Sequence, residues 1–382
     1  MTEQWQRDLR NSIDDVETLE KTLGVPADSV RDVVAKYPMR ITPHVLSTIK
    51  SPGDAIWKQV VPDSEELQYD AACASKDPLH EAADSTVPNL VHRYPDRVLL
   101  YVTHQCPIYC RFCTRKRFVG SPGMLTPDNL RQVVDYLNAH TEVRDIILSG
   151  GDPLMVVDKL LERILTALRT VPHLEIIRFG TRVPGTLPSR ITEAFCAMIK
   201  KYHPIYMNLH FNHPDEITPE VARACGMLAD AGIPLGSQTV LLAGVNDDPE
   251  VMKRLMQRLL AIRVKPYYIY QADLVEGTHH FRTRIETGLK IIAALRGHTS
   301  GMAVPHYVID APGGGGKVAV LPQETLLSLD DHAAIVTNYE GRMFRYPQVA
   351  PTAEETLQRL DPATQETPQR TTVLTLSPID IE

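Results

Sequence analysis

"LYVTHQCPIYCRFC", residues 100–113, decides the fold. A β-rich apolar run leads straight into three cysteines, Cys106, Cys110 and Cys113, spaced C-x3-C-x2-C. The whole run, "RVLLYVT" (97–103), is the first of a series. "RDIILS" (144–149), "LEIIRFG" (174–180), "PIYMNLH" (204–210), "PLGSQTVLL" (234–242) and "KPYYIYQ" (265–271) follow. Amphipathic segments alternate with them: "DNLRQVVDYLNAH", "LERILTALRTV", "ITEAFCAMIKKY", "PEVARACGMLADAG", "EVMKRLMQRLLAI" and, last, "IETGLKIIAALRG". After a longer first step the pattern returns about every 30 residues, one βα unit each time. The fold class is therefore α/β with a parallel sheet, either open and doubly wound or a partial barrel. Both architectures gather ligand-binding groups in the loops after the strand C-termini, where the cysteines stand.

The flanks differ from this core. Residues 1–85 show helical periodicity, as in "VETLEKTLG" and "DSVRDVVAKY", and are expected to form a helical N-terminal region. The core spans 86–300. A C-terminal segment, 301–382, has two short strand-like runs, "AVPHYVID" and "KVAVLP", around a glycine run. It ends in a Pro-, Thr-, Gln- and Glu-rich stretch expected to be a loose tail.

Composition narrows the function classes. The chain has 382 residues, 43% hydrophobic and 23% charged, with net charge −7. That balance argues against nucleic acid or an anionic membrane as a partner. No run approaches the roughly 18 apolar residues of a membrane span. The polar, mixed-charge start "MTEQWQRDLRNSIDDVE" is unlike a signal or transit peptide, so a cytoplasmic location is expected. Of six cysteines, Cys73, Cys196 and Cys225 are scattered and are expected to be small buried apolar residues.

The clustered three read as metal ligands. Three thiolates can hold three irons of a [4Fe–4S] cluster and leave the fourth iron open. A structural zinc site closes with four ligands; no fourth cysteine lies near, and His104 is too close to Cys106 to complete one. "DAPGGGGKVAV" (310–320) is not a phosphate loop, because Ala311 and Val318 break the G-x4-G-K-[ST] pattern. A linker or a cradle for Lys317 remains.

With Phe112 before the last cysteine and "LSGGDPL" (148–154) after the second strand, the chain resembles the radical S-adenosylmethionine (SAM) enzymes. More narrowly, "HRYPDRVLL" (92–100), "CRFCTRKRF" (110–118), "ILSGGDPL" (147–154), "HFNHPDEIT" (210–218), "QTVLLAGVNDD" (238–248), "DLVEGTHHFRT" (273–283), "LRGHTSG" (295–301) and "DAPGGGGK" (310–317) occur in this order. Together with "WQRDLRNSI" (5–13) they resemble the lysine 2,3-aminomutase family. The resemblance implies a partial (β/α)6 barrel of radical SAM type, a [4Fe–4S] cluster on the three cysteines, SAM and pyridoxal phosphate (PLP). It implies SAM contacts from Phe112, Gly150, Gly151, Asp152 and Gln238. It implies a Schiff base between Lys317 and PLP, with Arg93 and Arg97 on the phosphate and Tyr94 near the ring. Asp273 and Asp310 would grip a substrate's distal ammonium, and Arg115 its carboxylate.

The implied reaction is conversion of L-lysine to L-β-lysine by a 5′-deoxyadenosyl radical, with an electron donor such as flavodoxin or ferredoxin and a homo-oligomeric enzyme. Related activities on arginine or on a protein-bound lysine are the alternatives, and a non-catalytic iron–sulfur module is a more distant one. The branch that modifies a lysine of elongation factor P lacks the full "DAPGGGGK" run, so the free-amino-acid branch fits better. Two departures stand out. Asp248 occupies the place of a zinc-binding cysteine and no cysteine follows Cys225, so no zinc site is expected. Phe112 replaces the histidine of the best-known lysine enzymes.

Overall fold

The strand that leads into the cysteines forms as expected. A computed structural model describes residues 3–68, 74–321, 326–330 and 333–347. Among these residues one sheet holds ten strands, in the order of the chain. They are β1 (Ser85–Val87), β2 (Leu90–Tyr94), β3 (Arg97–Thr103), β4 (Asp145–Gly150), β5 (Ile176–Thr181), β6 (Ile205–His210), β7 (Leu235–Leu241), β8 (Lys265–Gln271), β9 (His306–Ala311) and β10 (Gly316–Ala319). From β3 to β9 every neighbouring pair is parallel; β1 and β2 at one end and β10 at the other are antiparallel. A doubly wound sheet reverses its strand order at a switch point. This one never does, and its end strands do not pair, so it is an open barrel.

Sequence chemistry explains the elements. Thr126, Thr218 and Asp248 cap the helices Pro127–Ala139, Pro219–Asp230 and Pro249–Ala261, each with proline in the first turn. The side-chain oxygen satisfies backbone N–H groups that have no intrahelical partner, and proline needs none. Asp248 thus serves as a helix cap, accepting from Glu250 and Val251 N–H at 2.8 and 3.0 Å. Burial alternates along β3, β5 and β7. One face, with Val98, Leu100, Ile177, Phe179 and Leu235, packs on the helices; each fully buried apolar side chain contributes about 1.5–3 kcal/mol. The other face carries Tyr101, Arg178 and Gln238, half-buried along the inside of the barrel. Cys196 and Cys225 are buried, as their apolar reading expects, whereas Cys73 lies outside the described residues.

The hairpin β2–β3 and strand β1 were not legible in the sequence. β1 has three residues and β2 five, and Pro95–Asp96 interrupts the run before β3. The chain divides into two compact units, Met1–Leu321 and Pro322–Glu382. The division falls after Leu321 and not at 300, because β9 and β10 extend the barrel sheet. In the second unit β11 (Leu326–Leu329), β12 (Ala333–Thr337) and β13 (Met343–Pro347) form an antiparallel sheet. The tail expected past residue 347 lies outside the described residues. No helix among the described residues is long and apolar enough to cross a membrane.

The N-terminal helices pack on the cysteine loop. Ile108, between the first two cysteines, joins an apolar cluster with Ile41, Ile56 and Val60. The backbone N–H groups of Tyr109 and Arg111 donate to the carbonyls of Arg40 and Gln59 at 3.2 and 2.9 Å. Beneath them lies a buried ion triad. The Glu66 carboxylate accepts from Arg111 Nε and Nη2 at 2.8 and 2.7 Å and from Lys116 Nζ at 2.6 Å. Burial alone would raise the Glu66 carboxyl; the two cations outweigh it and hold it below its usual range. Burial pushes Lys116 down to about 8 against the pull of Glu66, and Arg111 adds repulsion. Replacing Glu66 with alanine strands two buried cations. We expect a loss of about 3–5 kcal/mol in a denaturant titration, and an unchanged midpoint would contradict the triad's role.

Candidate active site

The site is built where the parallel strands end. Cys106, Cys110 and Cys113 lie in the loop after β3, partly buried and unbridged. Burial lifts the Cys106 thiol well above its ordinary range and Cys113 to about 11, and the neighbouring thiols add to both shifts. Such thiols ionise when a cation holds them. Positive groups surround them: Arg182 Nη1 donates to Cys110 Sγ at 2.9 Å, Arg40 Nη1 to the Cys106 carbonyl at 3.0 Å, and the Arg115 N–H to Cys113 Sγ at 3.3 Å. Among the described residues no three His, Cys, Asp or Glu side chains could hold a single metal ion. A cuboidal cluster takes each thiolate at a separate iron, and this soft, cation-flanked trio fits one.

The glycine pair after β4 lies against the backbone that enters the cysteine loop. Gly151 N–H donates to the Thr103 carbonyl at 2.6 Å, and Asp152 N–H to the Gln105 carbonyl at 2.8 Å. A Cβ on Gly150, whose φ is 119°, would stand 2.4 Å from the Thr103 oxygen; one on Gly151 would stand 2.4 Å from the Gln105 oxygen. Asp152 is buried. Its carboxylate accepts from Thr181 Oγ1 at 2.8 and 2.9 Å, from Arg182 N–H at 2.7 Å and from Leu154 N–H at 3.0 Å. It therefore braces the loops after β4 and β5. Phe112 packs 5.6 Å from His210 and 6.1 Å from Phe281, with the Arg182 guanidinium 5.2 Å from its ring. Gln238 stands on β7 beside His210 of β6.

The glycine run makes a tight β9–β10 hairpin. Gly313, Gly314 and Gly316 all have φ of 75–82°, a left-handed conformation that other residues rarely adopt. The hairpin sets Asp310 directly opposite Lys317, and Lys317 Nζ meets the Asp310 carboxylate at 2.9 and 3.2 Å. Tyr94 Oη accepts from the Lys317 N–H at 3.1 Å; the Tyr270 ring lies 5.3 Å from Lys317 Nζ. A Cβ on Gly316 would come within 3.2 Å of Tyr94 Oη. Arg97 pairs across the hairpin with Tyr94 and stacks on its ring at 3.9 Å. Arg93, beside Gly314, donates to Asp84 at 2.6 Å and to the Leu79 carbonyl.

Asp273 and Asp310 line one cavity of about 350 Å³, along with Leu79, His80 and Ile309. Burial raises the Asp273 carboxyl to about 6, and the charge of Asp310 adds to it. Thr114 Oγ1 donates to Asp273 at 3.0 Å. Arg115 is gripped by Glu81.

Sequence reading missed Arg182, Glu216, Gln59 and Glu81. Arg182 also donates to Gln59 Oε1 at 2.6 Å and to Glu216 at 3.0 Å. Its place just after β5 was an available signal, because loops after strand C-termini build sites. Glu81 lies in a segment without periodicity and carried none.

An open parallel barrel with a three-cysteine loop after its first parallel strand defines the class of radical SAM enzymes. The sequence pattern described as "Radical SAM superfamily" matches residues 100–256, and the one described as "Lysine-2,3-aminomutase" matches 292–377. The chain is similar to L-lysine 2,3-aminomutases from Fusobacterium nucleatum (50% identical, over 90% of this chain and 82% of that one) and Clostridium subterminale (49%, over 90% and 84%). It is also similar to a glutamate 2,3-aminomutase from Clostridioides difficile (42%, over 89% and 81%). The chain belongs to the lysine 2,3-aminomutase family, whose radical SAM membership implies a [4Fe–4S] cluster and SAM. Gly151→Ala, forced against two backbone carbonyls, is expected to cost at least about 1–3 kcal/mol and to lower the thermal midpoint. A wild-type midpoint would show that the close approach is not required.

Proposed function

We propose that the chain is an L-lysine 2,3-aminomutase, moving the α-amino group of L-lysine from C2 to C3 to yield L-β-lysine. One observation carries the reading: Asp310, on the same cavity as Asp273, already holds a lysine ammonium, that of Lys317. Two acids around one cavity suit a basic side chain, because an ammonium leaving water needs opposite charge to offset its desolvation. A glutamate side chain would meet repulsion there.

The cluster and SAM, when bound, supply a carbon radical, and PLP supplies the π-system over which nitrogen migrates. The chain's own residues do the rest. Cys106, Cys110 and Cys113 hold the cluster. Gly150 and Gly151 bring backbone close to SAM, with Phe112, Asp152 and Gln238 beside it. Lys317 carries PLP, and Asp310, 2.9 Å from its Nζ, holds the lysine head group in place for it. Tyr94 holds the backbone of Lys317, while Arg93 and Arg97 serve the phosphate. Asp273 and Asp310 take the distal ammonium and Arg115 the carboxylate. The proposed partner is an external one-electron donor, flavodoxin or ferredoxin in type. The enzyme works in the cytoplasm as a homo-oligomer.

Lys317→Ala should abolish the cofactor band near about 420 nm and the formation of β-lysine from lysine, SAM and dithionite. Full turnover in that variant would refute the assignment. A pH series adds a second check. Above about 6 Asp273 is charged; below it Asp273 takes a proton and the cavity loses that negative charge. The KM for lysine should therefore rise as pH falls through that value, and a flat KM would argue against Asp273 as an ammonium ligand.

A further inference from the structure

Arg115 is held on three sides. Glu81 grips one edge: Nε lies 3.1 and 3.0 Å from its two carboxylate oxygens, and Nη2 lies 2.5 Å from Oε1. Ser149 Oγ accepts from Nη1 at 3.1 Å, at the end of β4. The Tyr101 ring lies 5.3 Å from the guanidinium carbon. Glu81 is itself fixed. Its side chain is 6% exposed, Arg117 Nη2 donates to it at 3.4 Å, and Asp77 accepts from its backbone N–H at 3.2 Å. Burial would raise the Glu81 carboxyl, but the Arg115 charge and hydrogen bonds hold it down at about 2. It is a carboxylate throughout the working pH range.

A guanidinium has five N–H groups in a rigid plane, and an anion can take two of them along one edge. Glu81 fills the Nε/Nη2 edge. Ser149 takes one Nη1 N–H, and the Gly150 carbonyl lies 3.5 Å from Nη1, a long contact; the edge between Nη1 and Nη2 keeps one N–H on each nitrogen for a closer acceptor. That edge is a second fork of carboxylate width in the same plane, and the plane is set by Glu81.

We propose that Glu81 is a positioning residue for the reaction: it fixes the plane of Arg115 so that the Nη1/Nη2 edge receives the substrate's α-carboxylate. This rests on the reading of Arg115 as the carboxylate-binding residue. Glu81 never touches the substrate. Its effect passes through Arg115 and so falls on carboxylate-bearing ligands alone. Glutamine at 81 keeps the shape but turns an amide N–H2 toward a guanidinium, donor against donor, and the plane tilts. Aspartate keeps the charge but draws the fork back by one methylene.

The test is binding without turnover. Enzyme loaded with PLP is titrated anaerobically, with no reductant, and the cofactor absorbance is followed. The probes are L-lysine and L-lysinamide, which differ only at the carboxylate. For Glu81→Gln the Kd of L-lysine should rise about tenfold or more, while that of L-lysinamide stays within about twofold. Glu81→Asp should show the same selective loss and serves if the amide variant fails to fold. Equal weakening of both probes would mean a merely structural role and would overturn the proposal, as would no weakening of either. Arg115→Lys separates the two levels. If it loses the preference for lysine and Glu81→Gln does not, only the role of Glu81 fails. If it binds both probes as the wild type does, the reading of Arg115 fails and the proposal with it.

Discussion

Glu66 carries two cations, and the cysteine loop hangs from them. Arg111 and Lys116 both belong to that loop, and both reach the same buried carboxylate among the N-terminal helices. Between β3 and the helix at 127 the loop has no regular secondary structure. Helix or sheet hydrogen bonds cannot therefore set the positions of the three thiols. Side-chain ion pairs do it, together with the packing of Ile108 and the two backbone hydrogen bonds to Arg40 and Gln59. Burying three charges together is costly, and such groups add geometry more than net stability. The N-terminal helices are thus the mould in which the loop sets.

The same device recurs around the barrel mouth. Arg182 ties Cys110 to Glu216 and Gln59, joining loops after β3, β5 and β6 to an N-terminal helix. Asp152 ties the loop after β4 to the one after β5. Arg115 reaches from the cysteine loop to the end of β4 and to Glu81. Parallel strands end at one rim, so their loops must be cross-braced there if a site is to keep its shape. Planar, always charged guanidinium groups serve this better than lysine would. The acidic pair works the other way. Asp273 and Asp310 stand near each other in a partly buried cavity, and the strain appears as a raised Asp273 carboxyl. On the proposed reading a bound ammonium relieves it.

Much of the barrel could be read beforehand. "RVLLYVT" and "KPYYIYQ" became β3 and β8 residue for residue, because alternating β-branched and aromatic runs bounded by loops have few other uses. The helices were as plain, three of them starting at Thr-Pro or Asp-Pro. The β1–β2 region was not, since strands of three and five residues leave too little periodicity. The thiols, the glycine pair and Lys317 announced themselves by residue type and motif order. Glu81, Gln59 and Glu216 did not. Each is an ordinary polar residue whose value lies wholly in which arginine it meets, 34 residues away in the chain for Glu81 and Arg115.

The sequence alone determined the βα alternation, the family and the residue types that carry the chemistry, because periodicity, spacing and motif order are local properties. Tertiary structure decided three other matters. It chose the open barrel over the doubly wound sheet, since strand order is a relation between distant segments. It turned Asp152 inward to brace two loops. It also gave "DAPGGGGK" its meaning. Four glycines permit many turns, but only the β9–β10 register sets Asp310 against Lys317, so that the acid proposed for the substrate's ammonium and the lysine proposed for the cofactor face each other across one hairpin.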